Sequence, residues 1–228
     1  ETVTIDENGK EVRKAEKIKT RAGKSVKLSE LLDEAKERAL KSFEERKKMQ
    51  AENNDDGVSK VQIEGNEEMI KAAEILGISS IKYYDLKQNR TQNYTFSFDQ
   101  MLDPRGNTGV YLIYAYVRIQ SILRKAGYDP ETSKLEDFDF VVTNESEREL
   151  AMALLRLPEA IEAAAKDLMI NRVTDQLYEI SNQVSNFYNN SKVVGSDEQN
   201  SRIGLLIATS KVMQLTFHLL GMKTLDRI

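Results

Sequence analysis

Hydrophobic positions along this chain recur mostly at helical spacing. Leu31, Leu32, Ala35, Ala39, Leu40 and Phe43 predict a helix from Ser29 to about Gln50. Ser29 suits its N-cap, and Glu30, Asp33 and Glu34 fall in the first turns, where the helix dipole favours acids. Just before it, Val26 and Leu28 alternate with Lys27 and predict a short strand end. The polar run Asn53 to Gly57 breaks the pattern. A second apolar stripe follows from about Glu64, with Met69, Ile70, Ala73, Ile75 and Leu76. Gly77 is expected to interrupt it, leaving Ile78 to Leu86 as another helix. Tyr94, Phe96 and Phe98 alternate with Thr95 and Ser97, the period of two that marks a strand. Asp103-Pro104-Arg105-Gly106-Asn107 reads as a tight loop.

Beyond Asn107 the pattern is helical throughout. Thr108 to Ala126 is apolar almost all round and predicts a central, buried helix. Asp129 to Asp139 is an acidic loop. Asn144 and Glu147 imitate a capping box for a helix to Leu157, and Pro158 suits the first turn of the next. That helix is expected to reach about Asn189 with a kink near Ile170. Ser196 and Gln199 read as a second capping box, opening a last helix to about Leu220, with Gly221 as its C-cap. The tail Met222 to Ile228 is partly apolar and is expected to dock. At the other end, Glu1 to Lys17 is polar with a turn at Asp6-Glu7-Asn8-Gly9, a hairpin or a mobile loop. The sum is mainly α: a mixed piece over residues 1–90, then a bundle of four or five helices over residues 91–228.

Composition narrows the chemistry. A chain of 228 residues holds one large domain or two modest ones. The absence of cysteine excludes disulfides, zinc–thiolate sites and thiol catalysis, and fits a reducing compartment. No apolar run approaches the ~20 residues of a membrane span, and no signal-peptide pattern opens the chain. The net charge of −4 argues against a general nucleic-acid binder. The charge is uneven, however. Lys10 to Lys48 holds 14 Lys/Arg against 8 Asp/Glu. A polyanion drawn by bulk charge belongs near this stretch, unless the stretch is simply a solvated helix face.

Three clusters could carry function. Lys17, Lys19, Thr20, Arg21, Gly23, Lys24 and Ser25 place cations, hydroxyls and a glycine ahead of a helix, which suits polyphosphate or an exposed basic turn. Gly23-Lys24-Ser25 lacks the upstream glycine of a P-loop. Tyr111, Tyr114 and Arg118 share one helix face, where tyrosine can stack a base and arginine can hold a phosphate, or both can pack. Phe187-Tyr188 could supply another platform. His218, the one histidine, sits between Phe217 and Leu219 and is expected to be a core or groove residue; no metal site is expected.

Four blocks together resemble the arginyl-tRNA synthetases: Ile18 to Ala35, which holds Lys-Thr-Arg-Ala-Gly-Lys-Ser at 19–25; Ile81 to Asp99; Met101 to Ile122; and the ending His218 to Ile228. The resemblance implies the C-terminal portion of a class I synthetase that joins arginine to tRNA-Arg through an arginyl-adenylate, with ATP and Mg2+ as substrate and a cytoplasmic location. It implies the tail end of a Rossmann-type α/β catalytic domain and connecting helices to about residue 90, then an anticodon-binding helical bundle. Lys19, Thr20, Arg21, Gly23 and Lys24 take the place of the mobile second signature loop, departing from the general K-M-S-K-S pattern. Asp103, Pro104, Arg105, Gly106, Asn107 and Thr108 correspond to the loop against the anticodon stem-loop. Tyr111, Tyr114, Arg118, Tyr188 and the terminal Ile228 correspond to anticodon contacts, the isoleucine standing where relatives often have methionine. The partner signature H-I-G-H is absent, so the polypeptide alone is expected to bind tRNA and not to activate arginine. The rival reading is a non-enzymatic RNA- or protein-interaction module derived from a synthetase.

Overall fold

The computed structural model describes residues 2–5, 11–14, 27–53 and 65–228. The strands β1 (Thr2–Ile5) and β2 (Glu11–Lys14) pair antiparallel, with Thr2 opposite Lys14 and Ile5 opposite Glu11. The paired strands agree with the hairpin alternative, and the expected turn at Asp6 to Gly9 lies outside the described residues. Helix α1 spans Leu28–Asn53. It begins earlier than expected: Leu28 is helical and exposed, not a strand end. The Lys27 N–H donates to Glu30 Oε2 at 3.3 Å, so Glu30 serves the helix start where Ser29 was the expected cap.

Helix α2 (Asn66–Leu86) runs unbroken through Gly77. A Cβ at residue 77 would lie 2.8 Å from the Ala35 carbonyl oxygen. Glycine here marks where two helix backbones touch rather than where one helix stops. The aromatic alternation at Tyr94, Phe96 and Phe98 is not a strand either. Phe96 packs edge-on to Tyr84 (5.5 Å between ring centroids) and Phe98 edge-on to Phe96 (4.9 Å). The Tyr84 hydroxyl donates to the Thr95 carbonyl at 2.9 Å. A side chain thus takes a backbone acceptor that a strand would offer to its neighbour, and α3 (Phe98–Met101) follows at once.

The bundle proper comprises α4 (Gly109–Lys125), α5 (Glu145–Leu155), α6 (Leu157–Asp167), α7 (Asn171–Asn190) and α8 (Gln199–Leu219). Helix α4 packs against α2, α7 and α8, with Leu112, Ile113, Ile119 and Leu123 wholly buried. Ala39 and Phe43 of α1 and Leu76 and Tyr83 of α2 belong to the same apolar cluster as α4 to α8, so connecting helices and bundle share one core.

Three further boundaries differ from the sequence pattern. The expected kink near Ile170 is a full break, with Leu168 left-handed (φ 57°) between α6 and α7. At α8 the second capping box does not form. The Ser196 hydroxyl donates back to the Val193 carbonyl at 3.0 Å, and Gln199 Oε1 accepts from the Gly195 N–H at 2.6 Å. At Asn144 the box is shifted. The Asn144 side chain accepts from the Glu147 N–H as expected (3.0 Å), but the Glu147 carboxylate reaches back to the Thr143 N–H (2.6 Å). The C-terminal end follows expectation. Gly221 and Met222 donate to His218 and Phe217, both at 2.9 Å, closing α8. Arg124 Nη1 then holds the Asp226 carbonyl at 2.8 Å, and Met222, Leu225 and Ile228 are buried. Among the described residues no helix is long and apolar enough to cross a membrane.

One buried ion pair ties the far end of the bundle. Arg202 Nε donates to Glu147 Oε1 at 2.7 Å, with the Glu147 side chain only 2% exposed. Burial pulls the Glu147 carboxyl up, but the Thr143 N–H and the Arg202 guanidinium outweigh it, and the group sits below its usual range. Its stabilisation is therefore complete above the ordinary glutamate range and is lost as pH falls below that range through the depressed value of the folded state.

Two stability predictions follow from this packing. Gly77→Val forces α1 and α2 apart and should destabilise by about 2 to 3 kcal/mol in urea unfolding. Glu147→Gln removes the nearer of the two carboxylates on Arg202, leaving Glu198 at 3.0 Å, and should destabilise by about 3 kcal/mol at pH 7. That difference should shrink as the pH of the unfolding series is lowered below the ordinary glutamate pKa.

Candidate functional site

The expected loop at Asp103 to Thr108 is a built turn. Asp103 Oδ1 accepts from the Arg105 N–H at 2.8 Å, and the Thr108 hydroxyl donates to the Asp103 carbonyl at 2.6 Å. Gly106 takes φ 77°, which other residues adopt with strain. Thr108 also caps α4 by accepting from the Tyr111 N–H at 3.2 Å. The last turns of α2 hold the loop from below. The Tyr83 hydroxyl donates to Asn107 Oδ1 at 2.5 Å, and Lys87 Nζ donates to the Asn107 carbonyl at 2.7 Å. Burial pushes the Tyr83 phenol well above its usual range and the Lys87 ammonium below its own. Pro104, Arg105 and Gly106 project into solvent. An open groove runs beside them, lined by Arg38, Lys41 and Glu45 of α1 and by Phe98 and Leu102.

Tyr111, Tyr114 and Arg118 do share one face of α4, and each has a partner on another helix. The Tyr111 hydroxyl lies 3.1 Å from both Asn182 Oδ1 and Ser185 Oγ of α7. Its ring meets Tyr178 edge-on at 5.9 Å. The Tyr114 hydroxyl accepts from Arg46 Nη1 of α1, and the Arg46 guanidinium lies 4.7 Å from the Tyr114 ring centroid. The Arg118 guanidinium lies 4.8 Å from the centroid of Tyr188, near the end of α7. Arg46, Tyr114, Arg118 and Tyr188 are all partly exposed. Burial pushes the Tyr114 phenol up, and the Arg46 cation opposes it without reversing it. The phenol is neutral at pH 7, so it orients Arg46 without cancelling its charge.

Other candidates lie elsewhere. At ~100° per residue, Tyr116 sits on roughly the opposite side of α4 from Tyr114, while Arg124 lies only ~80° round from it. The tail is tied to α4 through Arg124 and Asp226, and Ile228 is buried in the core. Phe187 is fully buried and serves packing, leaving Tyr188 as the only ring of that pair near solvent. His218 is exposed, contrary to the expected core or groove position. The signature-loop residues Lys19, Thr20, Arg21, Gly23 and Lys24 lie outside the described residues. Sequence reasoning missed Arg46, Tyr83, Lys87 and the polar row Tyr178, Asn182 and Ser185. The last of these was legible, since those residues recur at helical spacing on one face of α7.

Comparison with known proteins places the chain in a family. Residues 9–98 match the family described as tRNA synthetases class I (R), catalytic domain. Residues 112–228, just over half of the chain, match the DALR anticodon binding domain. The chain is 42% identical over 215 residues to an arginine–tRNA ligase of Crocosphaera subtropica, covering 93% of this chain and 35% of that protein. It is 40% identical over 226 residues to a chloroplastic/mitochondrial arginine–tRNA ligase of Arabidopsis thaliana, covering 99% and 32%. The arginyl-tRNA synthetase structure from Plasmodium falciparum superposes with a TM-score of 0.73 at 33% identity, over 89% of this chain and 34% of that one. The Thermus thermophilus arginyl-tRNA synthetase shares the fold, with a TM-score of 0.67 at 22% identity, over 90% of this chain and 33% of that one. The chain spans about a third of the length of these relatives. With a built turn, a tyrosine–arginine face and these matches at both ends, the chain belongs to the arginyl-tRNA synthetase family, as a C-terminal portion that carries the end of the class I catalytic domain and the DALR anticodon binding domain.

Proposed function

We propose that this chain is the tRNA-binding end of an arginine–tRNA ligase, and that the face formed by Tyr114, Arg118 and Tyr188, with the turn Asp103 to Thr108 beside it, receives the anticodon stem-loop of tRNA-Arg. In the whole enzyme, ATP with Mg2+ and arginine form arginyl-adenylate, and tRNA-Arg accepts the arginine. The run Lys19 to Lys24 contributes the cations of the second signature loop, and the connecting helices reach from it to the bundle. Residues 1–90 serve the catalytic side and residues 91–228 the anticodon side.

The observation that carries this reading is the pairing of each tyrosine ring with a guanidinium on a partly exposed face. An exposed cation–π contact is worth about 0.5 to 1 kcal/mol. Stacking a nucleic-acid base on an aromatic ring is worth about 1 to 3 kcal/mol. A base therefore displaces the guanidinium favourably, and the displaced arginine is left next to the phosphate of the same nucleotide. The exchange keeps both groups satisfied with and without RNA. Arg105, whose side chain is 89% exposed, extends the cationic edge from the neighbouring turn.

Fluorescence anisotropy of a labelled tRNA-Arg anticodon stem-loop tests the face. Tyr188→Ala should weaken binding by roughly 5- to 100-fold while the unfolding midpoint changes little. Unchanged affinity would remove Tyr188 from the site. Arginine-dependent ATP–pyrophosphate exchange tests the division of labour. This polypeptide by itself should show none, and measurable exchange would contradict the assignment of adenylate formation to residues beyond it.

A further inference from the structure

The catalytic side of the chain also reaches the tyrosine face, through one residue of α1. The cation-rich stretch Lys10 to Lys48 is the one basic region of an otherwise acidic chain, and it ends in Arg46-Lys47-Lys48. Most arginines described nearby are matched to acids. Arg38 holds Glu34 at 2.6 Å and Asp99 at 2.9 Å, and Arg105 holds Asp103 at 3.4 Å. Arg46 is not. Among the described residues its guanidinium meets the Tyr114 hydroxyl and ring and no carboxylate. Arg118 is in the same condition on Tyr188. The result is a row of alternating groups across three helices: Arg46 of α1, Tyr114 and Arg118 of α4, Tyr188 of α7.

We propose that Arg46 is a phosphate-binding residue of the RNA face, so that the site spans α1 as well as the anticodon-binding domain. The inference rests on the RNA-binding reading above and extends it to a residue outside the DALR match. A single RNA strand alternates phosphate and base, and the row alternates guanidinium and ring in the same sense. Tyr114 holds Arg46 in place and leaves most of its five N–H donors without a carboxylate to serve. When a base displaces the guanidinium from the ring, its contact with the Tyr114 hydroxyl keeps it close enough to take the adjoining phosphate in its fork. Lys47 and Lys48, both exposed, add charge next to it. Tyr114 in turn becomes the ring between two phosphate contacts, Arg46 on one side and Arg118 on the other.

The experiment is a salt titration of stem-loop binding by the full 228-residue chain, with Arg46→Gln and Arg46→Lys alongside. Arg46→Gln should bind roughly tenfold more weakly. The slope of log affinity against log salt should fall by about 0.7, the loss of one single-strand phosphate contact. Arg46→Lys should restore the slope. Phenylglyoxal modification of the unsubstituted chain provides a readout free of folding effects: saturating stem-loop should protect Arg46. If the unsubstituted chain binds RNA but Arg46→Gln keeps its affinity and slope, or phenylglyoxal reaches Arg46 equally with RNA bound, this inference fails alone. If the unsubstituted chain binds no RNA, the RNA-binding reading fails with it.

Discussion

The burial of α4 is the constraint on which the rest of this molecule depends. A helix apolar almost all round has no stable place at a surface and must be enclosed. Helices α2, α7 and α8 enclose it, leaving Leu112, Ile113, Ile119 and Leu123 without contact with solvent. Close approach sets the details. Gly109 at the start of α4 admits the α2 backbone, since a Cβ there would stand 2.9 Å from the Ser80 Cα. The strip of α4 left partly open carries Tyr111, Tyr114 and Arg118, whose long side chains bury their bodies and present polar tips. The candidate site is thus the one side of the central helix that packing leaves open.

Polar contacts then fix what packing alone leaves loose. Tyr83 and Lys87 fasten Asn107, so the turn before α4 takes its position from α2. Glu147 and Arg202 join α5 to α8, and Asn144 and Ser191 extend the same network towards the end of α7. Both fastenings are buried or partly buried, so losing one partner leaves a desolvated group without its contact. A rigid turn and a rigid helix face suit recognition of a structured RNA loop, because little ordering remains for the moment of binding.

Much of this was legible in the sequence, and the failures have physical causes. Helices appeared wherever apolar spacing was regular, and Thr108, Asn144, Pro158 and Gly221 marked their ends correctly. Gly77 was misread because a helix-packing glycine and a helix-breaking glycine look alike until the neighbouring helix is placed. Tyr94, Phe96 and Phe98 were misread because an edge-to-face aromatic chain also has a period of two. Ser196 and Gln199 match a capping pattern but spend their side chains on Val193 and Gly195. In the site, the residues along α4 could be named from spacing, but Arg46 could not. It meets Tyr114 from 68 residues away, a contact set by tertiary packing and by no local signal.

The proposed function reduces to one claim: RNA enters on the open side of α4, against Tyr114 and Tyr188, and not on the apolar surface near Phe140, Val141 and Val142, which are also exposed. Hydroxyl-radical footprinting of this chain with and without tRNA-Arg tests that claim most directly. The account predicts reduced oxidation of Tyr114 and Tyr188 in the complex, with Phe140 oxidised as before. Protection of Phe140 with Tyr114 and Tyr188 unchanged would contradict it.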